Sequence, residues 1–140
     1  MACHMRIAGA KAKFGQPEIN LGLPPGYGGT QRLVQLVGKG KSLEMLLTAE
    51  PINAQEALNI GLVSKVVPME ELMNTCHEYI NKFATKSPSA ISMVISCIND
   101  HFLGTFPGFE KEISEFGRSF ETKDFKEGTT AFLEKRKPNF

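Results

Sequence analysis

From Met69 onward the apolar positions fall at helical spacing. Leu72, Cys76, Tyr79, Ile80 and Phe83 form one stripe, and after Ser87-Pro88 a second runs through Ile91, Val94, Ile95, Ile98 and Phe102. A third follows at Phe109, Ile113, Phe116 and Phe120, and a last helix from about Asp124 carries Phe125, Phe132 and Leu133. That helix finishes in Lys135-Arg136-Lys137 before Pro138, where cations suit the negative end of the helix dipole. Upstream, Thr30 is placed to cap a helix to Val37, with Leu33, Leu36 and Val37 on one face and Gly38 to end it. Ser42 can cap the next, which carries Leu43, Leu46 and Leu47. Asn53 with Glu56 three residues on is a capping-box pattern, and the helix it opens ends at Gly61. The run Leu62-Val63-Ser64-Lys65-Val66-Val67 then reads as a strand stopped by Pro68.

The start of the chain has another texture. Eight of the thirteen glycines lie in residues 1–41, which predicts short strands and tight loops ahead of the helices. So little strand cannot cover so many amphipathic helices, so part of their apolar surface is expected to pack on another chain or on a missing segment. The opening MACHMRIAGAK has no continuous apolar core of a secretory signal, and it reads as the end of one element and a short strand rather than as a natural beginning.

Composition narrows the class without changing that picture. At 140 residues with 41% apolar and 22% charged positions, the chain is the size of one globular domain and can bury a core. No apolar run approaches the roughly 20 residues of a bilayer span. Sixteen Lys and Arg against fifteen Asp and Glu leave a net charge of +1, so no global field recruits nucleic acid or an anionic membrane. Cys3, Cys76 and Cys97 are an odd, scattered set, which fits a reducing compartment and neither a disulfide framework nor a zinc site. Within residues 1–41 the charge is lopsided: Arg6, Lys11, Lys13, Arg32, Lys39 and Lys41 face a single carboxylate, Glu18.

Several candidate chemistries fail on spacing. Gly40-Lys41-Ser42 ends like a phosphate loop, but the first glycine such a loop needs is replaced by Gln35 and the preceding element is helical. A dinucleotide fingerprint from Gly26 meets Gln31 where glycine is required. His4, His77 and His101 have no metal-ligand spacing, and adjacent Cys76 and His77 point apart on a helix. Two features survive. Glu18, between a strand-like segment and a proline-rich turn, is either a rigid, partly desolvated carboxylate suited to acid or base work, or a glutamate paired with Arg32 or Lys13. The turn Leu23-Pro24-Pro25-Gly26-Tyr27-Gly28-Gly29-Thr30 is either a plain connection or a place where a ligand can approach backbone N–H groups at a helix start.

Together the run AKFGQPEINLGLPPGYGGTQRLVQLVG resembles the central signature of the enoyl-CoA hydratase/isomerase family, the crotonase fold. LTAEPINAQEALNIGLVSKVVP and the closing AFLEKRKPNF resemble later segments of the same family in the same order. The resemblance covers essentially the whole chain but only the C-terminal portion of the longer family proteins. It implies an α/β, crotonase-like (ββα spiral) fold, mostly helical with a few short strands here: residues 1–60 as the end of the spiral core and 61–140 as a helical trimerisation region. It also implies an acyl-CoA thioester as substrate, with CoA part of the substrate and no separate cofactor or metal. A homo-oligomer, trimer or dimer of trimers, in the cytoplasm or mitochondrial matrix would follow. By resemblance Glu18 is the acid/base that helps position or activate water, and Gly26 supplies backbone that helps hold it. Pro17, Leu21 and Pro25 line the acyl pocket. Phe116 and Lys135 reach the adenine and phosphate end of CoA, often in a neighbouring subunit. The family's other glutamate and both donors of its oxyanion hole lie upstream of the matched region, so the isolated chain is expected to be inactive. A single-glutamate isomerase is the nearest rival within the family, and a non-catalytic oligomerisation module is the rival of another class.

Overall fold

The computed structural model describes residues 1–104 and 107–140, apart from the side chain of Leu103. The chain forms two compact units, Met1–His77 and Glu78–Phe140. The expected boundary after residue 60 falls inside the first unit, where Leu62, Val63 and Val67 are buried.

The first unit begins with strand β1 (Ile7–Gly9) and strand β2 (Lys13–Phe14), which a tight turn separates. Helix α1 (Gly29–Thr48) follows, then β3 (Ile52–Asn53), α2 (Ala54–Asn59) and β4 (Lys65–Val67). β1 pairs in parallel with β4, Ile7 opposite Lys65, and β2 pairs antiparallel with β3, Phe14 opposite Ile52. Ala8, Leu33, Met45, Ile52, Leu62 and Val63 pack with Ala54 and Ala57, whose small side chains leave no accessible surface and let α2 lie close.

Local signals decide most helix ends. Gly38 (φ 77°, ψ 165°) breaks α1 into two helical segments, a backbone conformation open to glycine and costly for other residues. Asn53 accepts from the Glu56 backbone N–H at 2.9 Å, the capping bond its spacing predicts, but the Glu56 carboxylate reaches Lys41 at 2.8 Å instead of returning to the cap. Two expected caps are absent. Thr30 lies inside α1, which Gly28 and Gly29 begin without a side-chain cap. Ser42 is fully buried, and its hydroxyl donates back to the Gly38 carbonyl at 2.7 Å. A buried hydroxyl must find an acceptor, and the carbonyl one turn back is the nearest available. The strand expected over residues 62–67 shrinks to Lys65–Val67 because Arg6 holds the preceding turn: its Nε donates to the Leu62 carbonyl at 2.5 Å, and its own carbonyl accepts from the Ser64 N–H.

Helix α3 (Leu72–Ala84) runs across the division between the units. The second unit continues with α4 (Pro88–Leu103), α5 (Gly108–Ser119) and α6 (Lys123–Leu133), α4 packing on both of the others. Ser87 caps α4 at the Ala90 N–H, and Pro88 begins it. The Asp124 carboxylate, in the first turn of α6, accepts from the hydroxyls of Ser87 (2.5 Å) and Ser89 (2.8 Å), so one side chain ties the starts of two helices. Helix α5 buries a carboxylate and leaves its apolar stripe exposed. Glu115 is buried and bonded by Lys111 (3.1 Å) and Arg118 (2.8 Å), while Phe109, 85% exposed, shares the outward face with Ile113 and Phe116. On α6, Phe132 and Leu133 are likewise exposed. The apolar surface expected to seek a partner is therefore uncovered in this chain.

The cations after α6 do more than face a dipole. Arg136 grips Glu127 with two bonds of 2.6 and 2.9 Å, and this guanidinium, aided by the Asn139 N–H, holds the Glu127 carboxyl down from the ordinary 4.5 to about 2. The Ser87 and Ser89 hydroxyls hold Asp124 below its usual value, and Lys111, with Arg118, does the same for Glu115. A carboxyl depressed in the folded state stabilises the fold above its unfolded value, and that contribution is lost as pH falls toward the folded value. The second unit should therefore lose stability between about pH 5 and about pH 2, read as a falling urea midpoint. Glu127→Gln should flatten part of that fall.

Candidate functional site

Glu18 stands at the start of a short 3-10 turn, Glu18–Leu21. Pro17 precedes the turn, and Gly22 closes it in the left-handed conformation (φ 72°), donating to the carbonyls of Glu18 and Ile19. Upstream, pairing of β2 with β3 anchors Phe14. Gly15 then passes so close to Pro51 that an added Cβ would lie 3.3 Å from its Cα. Downstream the chain enters α1 through Gly28 (φ 77°). The carboxylate is thus carried on a turn held firmly at both ends.

One oxygen of that carboxylate, Oε2, is buried and has no hydrogen-bond partner. The ion pairs considered from the sequence do not form. Arg32 instead donates to the Tyr27 carbonyl at 2.8 Å, and neither it nor Lys13 bridges to Glu18 among the described residues. A carboxylate oxygen that is desolvated and unpaired is free to take a proton from, or give one to, a molecule brought against it.

Around it the segment is apolar and open. Leu21 is 79% exposed and Tyr27 94%, while Ile19 and Leu23 are also exposed and Pro25 is half-buried. Gly26 is exposed, and a Cβ there would meet nothing within 4 Å. Pro17, Glu18, Leu21, Pro25 and Gly26 therefore occupy one continuous stretch of the first unit, but the residues expected to line an acyl pocket do not enclose one by themselves. Phe116 and Lys135 belong to the second unit. Phe116 is exposed on α5 with its ring edge-on to Phe120 at 5.1 Å, and Lys135 is exposed just after α6 in a left-handed conformation (φ 53°).

Sequence reasoning passed over Gln16. Its carboxamide lies directly on Gly29, the first residue of α1, and its Oε1 is buried without a partner. The only hint in the chain is the doubled glycine at 28 and 29, which permits a close approach there. Gln16 also lines a cleft of about 300 Å³ with Arg6, Lys13, Phe14, Leu33 and Met45. Glu18 does not line it. Among the described residues no three of His, Cys, Asp or Glu are placed to hold a metal ion.

A family model described as enoyl-CoA hydratase/isomerase matches residues 1–140. The chain is 49% identical over 140 residues to the short-chain-enoyl-CoA hydratase of Clostridium acetobutylicum, covering 98% of this chain and 53% of that protein. It is 47% identical to the crotonyl-CoA hydratase of Syntrophomonas wolfei, covering all of this chain and 54% of the relative. The crystal structure of an enoyl-CoA hydratase from Bacillus anthracis superposes with a TM-score of 0.92 at 39% identity, over 99% of this chain and 54% of that one. The chain therefore spans about half the length of the relatives it matches.

The glycines of the turn separate by conformation. Gly28→Ala puts a Cβ on a left-handed residue and against the Arg32 guanidinium, so it should destabilise the chain by roughly 1–3 kcal/mol. Gly26→Ala has open space and should leave the urea midpoint nearly unchanged.

Proposed function

We propose, from the premise that the chain belongs to the enoyl-CoA hydratase/isomerase family, that it carries the Glu18 part of a site adding water across the 2,3 double bond of an enoyl-CoA thioester. The observation that carries this reading is the buried, unpartnered Glu18 Oε2 on a turn held at both ends. In hydration the water oxygen bonds to carbon 3, a carboxylate takes the water's proton, and a proton is delivered to carbon 2. The sum consumes no oxidant or reductant, and the acid/base group returns to its starting state. Glu18 serves that proton transfer, and the Gly26 backbone helps hold the water. Leu21, with Pro17 and Pro25, offers apolar contact to the acyl chain.

The reacting carbonyl needs donors aimed at the negative charge that develops on its oxygen. In the family resemblance those donors and the second glutamate lie in the part that the relatives have beyond the matched span. The 140 residues act together with that part, and by themselves do not turn over substrate. Open apolar surface supports the pairing: a hollow of about 790 Å³ lies along β1, lined by Ile7, Ala8, Val63, Met69 and Leu72. The exposed apolar faces of α5 and α6 support contacts between subunits, in a trimer or dimer of trimers. Phe116 and Lys135, an exposed ring and an exposed cation, suit the adenine and phosphates of CoA presented to a neighbouring subunit. Hydration is favoured over isomerisation because the relatives at 49% and 47% identity are both named hydratases. None of the described helices is long and apolar enough to cross a membrane.

A chimera in which this chain replaces the matching residues of the Clostridium acetobutylicum relative tests the reading. It should hydrate crotonyl-CoA, followed as loss of the enoyl-thioester absorbance, and Glu18→Gln should lower kcat by roughly 10²–10⁴-fold. A folded, assembled Glu18→Gln chimera with unchanged kcat would leave the chain only a role in folding and oligomerisation.

A further inference from the structure

Helix α5 lacks the apolar seam that ordinarily seats a helix on its neighbour. Its less exposed positions are Gly108, Lys111, Glu115 and Ser119, at i, i+3, i+7 and i+11, while Phe109, Ile113 and Phe116 lie in the open. Charge takes the place of that seam. Among the described residues one ion pair joins α5 to α4: Lys111 Nζ lies 3.4 Å from Asp100 Oδ2 on α4 and 3.1 Å from Glu115 Oε1 on its own helix. The same ammonium therefore holds the helix to its neighbour and satisfies its buried carboxylate.

That contact fixes how α5 is rolled about its axis. Successive residues of a helix point about 100° apart, so a helix that holds Glu115 inward carries Phe116 outward. A roll large enough to cover Phe116 would bring Glu115 toward water and draw Lys111 away from Asp100. The C-terminal end of α5 has a separate anchor in Phe120, whose ring centroid lies 4.6 Å from that of Phe125 on α6. Loss of the charges would thus loosen the roll of the helix without detaching it.

We infer that Lys111 is a positioning residue: clamped between Asp100 and Glu115, it sets the roll of α5 and so keeps Phe116 presented to the adenine end of CoA. The inference rests on the reading of Phe116 given under the proposed function. Lys111 itself is engaged by two carboxylates and acts through Phe116, not by touching CoA. The effect falls on the nucleotide end of the thioester, at the opposite end of CoA from the carbons that react. Lys111 therefore acts on substrate affinity and leaves the chemical step alone.

The same chimera tests this with two substrates, crotonyl-CoA and crotonyl-pantetheine, which keeps the reacting thioester and lacks the adenine nucleotide. Lys111→Met keeps the length of the side chain and removes the cation. It should raise KM for crotonyl-CoA roughly fivefold, the size of one aromatic contact, with kcat within about twofold. Its kinetics with crotonyl-pantetheine should not change. Asp100→Asn cuts the link to α4 while Glu115 keeps both of its cations, so no buried charge is orphaned, and it should show the same selective rise. An equal rise on both substrates would overturn the inference by showing a general loss of folding or assembly. So would an unchanged KM for crotonyl-CoA in a folded Asp100→Asn chimera. Tighter binding of crotonyl-CoA by Asp100→Asn would overturn it as well, because a lysine that touched the CoA phosphates directly would gain from losing that carboxylate. Phe116→Ala should match Lys111→Met on both substrates. An unchanged KM for crotonyl-CoA in Phe116→Ala would instead remove the reading of Phe116 itself.

Discussion

Parallel pairing of Ile7–Gly9 with Lys65–Val67 ties the start of the first unit to a strand near its end, and most of that unit lies in the connection between them. A parallel pair demands a long crossover. Here the crossover contains β2, the Glu18 turn, α1, β3 and α2, wrapped around Leu33, Met45, Leu62 and Val63. With both ends tied, the Glu18 turn is fixed on one side by the β2–β3 pair and on the other by the entry into α1. A carboxylate oxygen can be buried there without a partner because the surrounding structure holds the backbone, and no contact of the side chain itself is needed.

The second unit reverses the usual assignment of faces along α5. Glu115 lies inside with Lys111 and Arg118 on it, and the phenylalanine stripe lies outside. Burying a carboxylate is tolerable because two cations satisfy it, and the depressed acidity of Glu115 reflects the same bonds. Leaving so many aromatic side chains in water is unfavourable for a free monomer and ordinary for a subunit whose partner covers them. The charges join α5 to α4 through Lys111 and Asp100, and the apolar face stays exposed.

The turn at residues 16–18 holds two buried acceptors, Gln16 Oε1 and Glu18 Oε2, that have no hydrogen-bond partner. The doubled glycine at 28 and 29 serves both ends of this arrangement: Gly28 supplies the left-handed entry to α1, and Gly29 supplies the space for Gln16.

Much of this was legible in the chain. The break at Gly38, the Asn53 cap, the start at Ser87-Pro88 and the turn around Glu18 depend on residues within four positions of one another, and each is readable from neighbouring residues alone. Glu18 stood out as the lone carboxylate of a basic stretch, and motif order identified its family. Other features needed the tertiary structure. Ser42 has the composition of a cap, yet it is buried and bonds backward. Arg32 is the obvious ion partner of Glu18 on charge, yet it takes the Tyr27 carbonyl. Gln16 has no local signal that sets it apart from any polar loop residue. Periodicity and capping are short-range interactions written along the backbone. Which face of a stripe is covered, and which buried acceptor is left without a donor, depends on groups far apart in sequence that meet only when the chain has folded.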